Sequence, residues 1–250
     1  CMKHTFLPPV IALLAFASVP AVHAQLITSV SSAAPAANVA ISFTTANYSA
    51  SSGNTFGMGW KGDTGNRRDL GQTFTTTSSF LLDRITVQLQ FISANAPSSA
   101  YSLSLYEFPS ASSLTASGTL GTWTGTLPNS SILPPAAYTF NNGTVGPFLT
   151  FDMPNITLSA NTTYGFVLSF TGLAENESLN LWTKGGGFYT GGQQIQTSTA
   201  GATTFTTGSN DVLFYVQAVP EGSTFGMVFG GVLLLLLARR FRHTVSFVSR

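Results

Sequence analysis

Arg84-Ile85-Thr86-Val87-Gln88-Leu89-Gln90-Phe91 is the stretch that decides the fold. Ile85, Val87, Leu89 and Phe91 alternate with Arg84, Thr86, Gln88 and Gln90, the period of two that puts one apolar face on an extended strand. The same period returns elsewhere. Tyr164, Phe166, Leu168 and Phe170 alternate with Gly165, Val167 and Ser169; Tyr101, Leu103 and Leu105 with Ser102 and Ser104; Val212, Phe214 and Val216 with Leu213 and Tyr215. Shorter candidate strands cover 39–44, 71–76, 120–125, 148–153 and 179–182. Spacers at 93–99, 128–135 and Asn141-Asn142-Gly143 supply the Gly, Pro and Asn that turns require. Helical periodicity is nearly absent before the C-terminal tail. Many short strands with no helix between them predict an all-β chain, an antiparallel sandwich spanning 38–218 whose two sheets enclose one core.

Both ends are apolar, and each reads as an export device. Lys3 and His4 precede an apolar core at 10–16, and Val22-His23-Ala24 places small residues before a cut. That order predicts a signal peptide over 1–24 in a helix, removed by signal peptidase. A polar leader is expected over 25–37. At the other end Val219, Pro220, Glu221, Gly222, Ser223 and Thr224 lead into an apolar run from Phe225 to Ala238, which includes Val228, Leu233, Leu235 and Leu237. Arg239, Arg240 and Arg242 follow at once. The run covers only ~21 Å as a helix, against a hydrocarbon core of ~30 Å. Ser223 and Thr224 can lengthen it and the arginines can snorkel, which makes it a marginal transmembrane anchor. The arginines place the tail, 243–250, in the cytoplasm and the preceding domain outside the inner membrane.

Between these ends the available chemistry is narrow. The three histidines (His4, His23, His243) and the single cysteine (Cys1) all lie outside 25–219. A Ser-His-Asp triad, a Cys-His pair, a histidine zinc site and a thiolate zinc site are therefore excluded from that stretch. Disulfides are excluded too, so stability must come from an ordinary core. Lys61, Arg67, Arg68, Arg84 and Lys184 face eight acids: Asp63, Asp69, Asp83, Glu107, Asp152, Glu175, Glu177 and Asp211. This slightly acidic balance lacks the clustered basic face that nucleic acid requires. A surface of Ser, Thr, Asn and Gly suits an extracellular, matrix-facing protein.

Three local patterns suggest sites. Asp63-Thr64-Gly65 matches the core of aspartic-protease sites, but those need two carboxylates sharing a proton, and the triplet occurs once, so a turn is expected. No cofactor is expected; Asp63, Asn66 and Asp69 are weak candidates to offer oxygen ligands to calcium, although their spacing differs from the regular calcium loop. Trp60, Trp182 and Tyr189 fall near loop-like sequence with Trp123, Phe188, Asn180 and Lys184. They fit either a sugar-binding platform or the ordinary aromatic filling of a sandwich. A glycosidase needs two carboxylates across one cleft, and nothing in the spacing of the acids pairs them.

Arg68-Asp69-Leu70-Gly71-Gln72-Thr73-Phe74, Leu82-Asp83-Arg84-Ile85-Thr86-Val87, Ser104-Leu105-Tyr106-Glu107, Leu149-Thr150-Phe151-Asp152 and Leu158-Ser159-Ala160-Asn161-Thr162-Thr163-Tyr164-Gly165-Phe166-Val167-Leu168 resemble the ectodomains of bacterial sorted surface proteins called choice-of-anchor domains. The resemblance covers most of 57–216 and implies a jelly-roll-like sandwich, loosely akin to carbohydrate-binding modules. The terminal segment 219–242 is similar to the PEP-CTERM sorting signal, for which an exosortase is the implied processing partner. Val219, Pro220, Glu221, Ser223 and Thr224 match that motif, and Gly222 stands where it has a second proline. The expectation is an exported, non-catalytic surface or exopolysaccharide-matrix protein, held in the inner membrane or released to the cell surface after processing. A carbohydrate-binding module is the alternative, and a carboxylate-based hydrolase the third.

Overall fold

The computed structural model describes residues 25–44, 55–62, 65–138, 145–174 and 176–220. Every regular element among them is a strand, and every strand pairing is antiparallel. The expected signal helix, Asp63, and the anchor and tail beyond Pro220 lie outside the described residues. Among the described residues no helix is long and apolar enough to cross a membrane.

The Arg84–Phe91 stretch is the spine of the first sheet. β5 (Phe80–Ile92) runs for thirteen residues and changes partners along its length. On one side it pairs β9 (Val145–Leu158) and then the short β8 (Ala136–Ala137). On the other it pairs β15 (Phe214–Ala218) and then β11 (Ser178–Gly185). Further strands extend this sheet: β1 (Thr28–Ala33) on β9, β2 (Val39–Phe43) on β15, and both β3 (Thr55–Lys61) and β14 (Asn210–Val212) on β11.

The second sheet has the order β13 (Thr206–Thr207), β12 (Gln194–Thr197), β4 (Asp69–Thr75), β10 (Thr163–Thr171), β6 (Ala100–Phe108), β7 (Gly118–Thr126). Its inward faces carry the predicted alternation. Tyr164, Phe166, Leu168 and Phe170 of β10 and Tyr101, Leu103 and Leu105 of β6 are all buried in the main core. They meet the first sheet through aromatic contacts. Tyr101 meets Phe151 edge-on at 5.3 Å, and Phe166 and Phe74 both reach Phe214, at 5.9 and 6.1 Å. The two sheets therefore share one core, and such offset and edge contacts are the geometries that ring quadrupoles favour.

Two expectations are corrected. The polar leader over 25–37 is structural: β1 lies within it, so the sheet begins ten residues earlier than predicted. Leu26 donates its backbone N–H to the Thr124 carbonyl at 2.9 Å while Ile27 accepts from Asp152, which joins the free edges of the two sheets. Polar side chains at 28–33 hid this strand, because an edge strand exposed on one side needs little apolar patterning.

Phe91 was expected on the core face beside Leu89, but the pairing with β11 skips Gln90, matching Leu181 to Leu89 and Asn180 to Phe91. This one-residue bulge reverses the faces, so Ile92 enters the core and Phe91 is only half-buried. The polar face of β5 is also covered in its middle. Thr86 and Gln88 are buried, and the Thr86 hydroxyl bonds that of Thr150 at 2.8 Å.

Candidate functional site

Of the aromatic residues that fit either a sugar platform or core filling, the tryptophans Trp60 and Trp182 fill the core. Trp60 is fully buried, with its ring 3.8 Å from that of Phe170 and nearly parallel to it. Trp182 is also buried. Tyr189 packs at 5.4 Å from both Phe43 and Phe214. Burial, together with the nearby Asp211 carboxylate, pushes its phenol well above the usual range. Trp123 is half-buried against the same core. Trp60 and Trp182 are therefore packing residues and not ligand contacts, while Tyr189 and Trp123 are partly buried against the core.

The carboxylates are engaged locally. Asp83 and Asp152 bracket Arg84, at 3.6 and 2.9 Å. Glu177 accepts from the Asn95 side chain at 2.9 Å, and the Ser93 hydroxyl and Asn95 N–H hold its carboxyl below its usual range. Asp211 is buried and accepts from Gln72 Nε2 and from the Tyr189 backbone N–H, at 3.3 and 3.0 Å. Desolvation pushes its carboxyl up despite those donors. Asp69, a weak calcium candidate with Asn66, is buried in β4 and ion-paired to Arg67 at 3.0 Å. A carboxylate closed onto a guanidinium leaves little for a cation, and among the described residues no three His, Cys, Asp or Glu side chains converge as metal ligands.

A different site appears on the outer face of the second sheet. The strand pleat that sends Tyr101, Leu103 and Leu105 inward sends Ser102, Ser104 and Tyr106 outward. Likewise Val167 and Ser169 of β10 oppose the buried phenylalanines. Register aligns these small hydroxyl side chains across strands. Ser169 faces Ser102, Ser102 faces Thr124, and Ser104 faces Thr122, whose hydroxyl it bonds at 2.8 Å. Across β4, Thr197 faces Asp69.

One end of this polar face is walled by two loops that run side by side. Ala116 donates to the Thr203 carbonyl and Phe205 to that of Leu114, at 2.9 and 2.8 Å. Beneath them Tyr106, Phe108, Val167, Ile195 and Phe205 form a second, smaller apolar cluster. The Tyr106 hydroxyl donates to the Ala202 carbonyl at 3.3 Å. Sheet, loops and the Arg67–Asp69 pair enclose a cavity of about 220 Å³.

Its electrostatics are those of a closed ion pair. Burial pushes the Asp69 carboxyl up, and the Ser169 hydroxyl and the Arg67 guanidinium offset part of this. Arg67 Nε is buried without a hydrogen-bond partner. Asp69 Oδ1 lies 3.0 Å from Arg67 Nη2, but outside hydrogen-bond geometry. One donor and one acceptor of this buried pair are therefore unsatisfied, a condition that buried polar groups seldom tolerate without a partner. The sequence contained a signal for this site in the polar half of its alternations, Ser102, Ser104 and Ser169, small hydroxyls where an exposed strand face usually carries longer side chains. Two strands had to be brought into register before those residues formed a group.

No protein-family model and no curated protein matches the chain. Among solved structures, the cysteine protease and lectin-like domains of Cwp84, a surface layer associated protein of Clostridium difficile, align with a TM-score of 0.34 and 8% identity, over 61% of this chain. The chain covers 32% of that protein, and a likeness this distant carries no argument about site or activity.

Proposed function

We propose that this chain is an exported, non-catalytic surface or matrix protein, a jelly-roll-like sandwich delivered and held through its C-terminal sorting-type segment. The observation that carries the reading is the seam between fold and motif. β15 ends at Ala218, Val219 still donates its backbone N–H to Leu81 at 2.8 Å, and the PEP-CTERM-like sequence starts at that residue. A folded domain therefore leads into a processing motif and an apolar run with no spacer between them. The absence of histidine and cysteine from 25–219 supports a non-catalytic role, as do carboxylates engaged with Arg67, Arg84, Asn95 and backbone N–H groups instead of facing one another. Intact mass of the natural protein, measured after cell fractionation, tests the reading. The expected species lacks 1–24 and is either membrane-bound or trimmed near Pro220. An untrimmed chain freely soluble in the cytosol overturns it.

A second reading, a carbohydrate-binding module, is favoured by the hydroxyl-lined cavity. Small-molecule sites combine an apolar wall with a few fixed polar groups, and this cavity has both. Glycan-array binding by the purified chain tests it, and a silent array removes it.

A further inference from the structure

We propose that the cavity on the outer face of β6 and β10 binds a single ring of a neutral, polyhydroxylated sugar. The inference rests on the carbohydrate-binding reading and specifies its site and ligand class.

Size sets the first limit. Pockets for drug-sized ligands run from about 300 to 1,000 Å³. At about 220 Å³ this cavity suits one ring, a chain end or a branch, and not a run of several residues.

Charge sets the second. Among the described residues lining it, Arg67 and Asp69 are the side chains that carry charge at neutral pH, and they neutralise each other at 3.0 Å. An anionic ligand would have to displace Asp69 from Arg67, and a cationic one the reverse. A neutral ligand leaves the pair intact.

Hydrogen-bonding chemistry narrows the class further. Ser102, Ser104, Ser169 and Thr197 line the cavity with hydroxyls. Although Ser104, Ser169 and Thr197 already bond Thr122, Asp69 and the Thr199 N–H, a hydroxyl has one donor and two acceptor sites and so keeps capacity for a polyhydroxylated ligand. Arg67 Nε and Asp69 Oδ1 are themselves buried from solvent, so the ligand meets the hydroxyls of the lining and not the inner atoms of the ion pair. The apolar part of the lining, Val167 with Tyr106 and Phe205, suits the C–H face of a ring.

The test uses the full-length chain and methyl pyranosides of glucose, galactose and mannose, with glucuronate and glucosamine as charged counterparts and neutral hexasaccharides as long probes. Binding is read by saturation-transfer NMR with titration. At least one neutral methyl glycoside is expected to bind, at least tenfold tighter than either charged sugar. Ser102→Leu, which fills the cavity from an outward-facing strand position, should weaken it at least tenfold. Ser169→Val is the second variant, and each is checked for an unchanged melting temperature. Hexasaccharides that bind while no methyl glycoside does, or binding indifferent to both variants, overturns this site but leaves the carbohydrate reading standing elsewhere. Preference for a charged sugar overturns the ligand class. No binding by any glycan removes both inferences.

Discussion

Trp60 of β3 lies flat on Phe170 of β10, ring centroids 3.8 Å apart and planes within 13°, so the largest buried side chain ties one sheet to the other. Tyr101 meets the same indole edge-on at 6.2 Å. Trp60→Ala removes both contacts and leaves a cavity between the sheets. It should cost about 3–5 kcal/mol, the range for deleting a large aromatic from a core. Urea unfolding measures this, and a loss under 1 kcal/mol would show that the ring is not a structural anchor.

Gly71 faces Val167 in the pairing of β4 with β10, and a Cβ added there would overlap the Phe166 carbonyl oxygen. That obstacle is backbone, which cannot swing aside as a side chain would. Gly71→Ala should therefore force the strands apart and destabilise the protein by about 1–3 kcal/mol, the range for overpacking. An unchanged unfolding midpoint would disprove the close approach.

Thr86 and Thr150 exchange a hydroxyl hydrogen bond at 2.8 Å across β5 and β9. Thr86 is buried, so Thr150→Val leaves its hydroxyl without that partner and should cost about 1–3 kcal/mol. Replacing both with Val restores an apolar contact and should recover most of the loss. A double-mutant cycle with no coupling would contradict the pair's importance.

The buried acids make stability fall as pH rises through their range. Burial raises the folded-state pKa of Asp69 and Asp211 above the ordinary 3.8. In the window above that value the folded state binds more protons than the unfolded one. Their contribution is complete below the unfolded pKa and is lost as pH climbs through the raised folded values. Glu177 acts oppositely: its folded pKa is lowered, so its contribution is present above 4.5 and lost as pH falls through the folded value. Asp211→Asn should flatten the decline above pH 3.8 in a series of thermal melts. It should also lower stability at pH 7 by about 1–3 kcal/mol, because an amide NH₂ would face the donors Gln72 Nε2 or Tyr189 N. A pH profile identical to the parent's would show that Asp211 titrates normally.

Most strands were legible because their apolar residues recur every second position. β5, β6 and β10 fall where Arg84–Phe91, Tyr101–Leu105 and Tyr164–Phe170 placed them. β1, β3 and β12 were missed. TSVSSA and QIQT carry too little apolar alternation to stand out from loops, while in TFGMGWK the alternating Phe56, Met58 and Trp60 are separated by glycines that read as a turn; all three are ordered by pairing, with β9, β4 and β11 respectively. Trp60 shows the same limit at a single residue. Gly57 and Gly59 before it suggested a loop, yet they lie in a strand whose tryptophan fills the space between sheets.

By itself the sequence determined the all-β class, the exclusion of histidine and cysteine chemistry from 25–219, and an apolar, arginine-stopped C-terminal run. Each of these depends on composition or on a spacing within one segment. Tertiary structure alone decided which aromatics are hidden, that Gln90 reverses the face of β5, and that Ser102, Ser104, Ser169, Arg67 and Asp69 line one cavity. The reason is distance along the chain. A strand's period states which residues share a face, but partner and register across the sheet are set by segments tens of residues away.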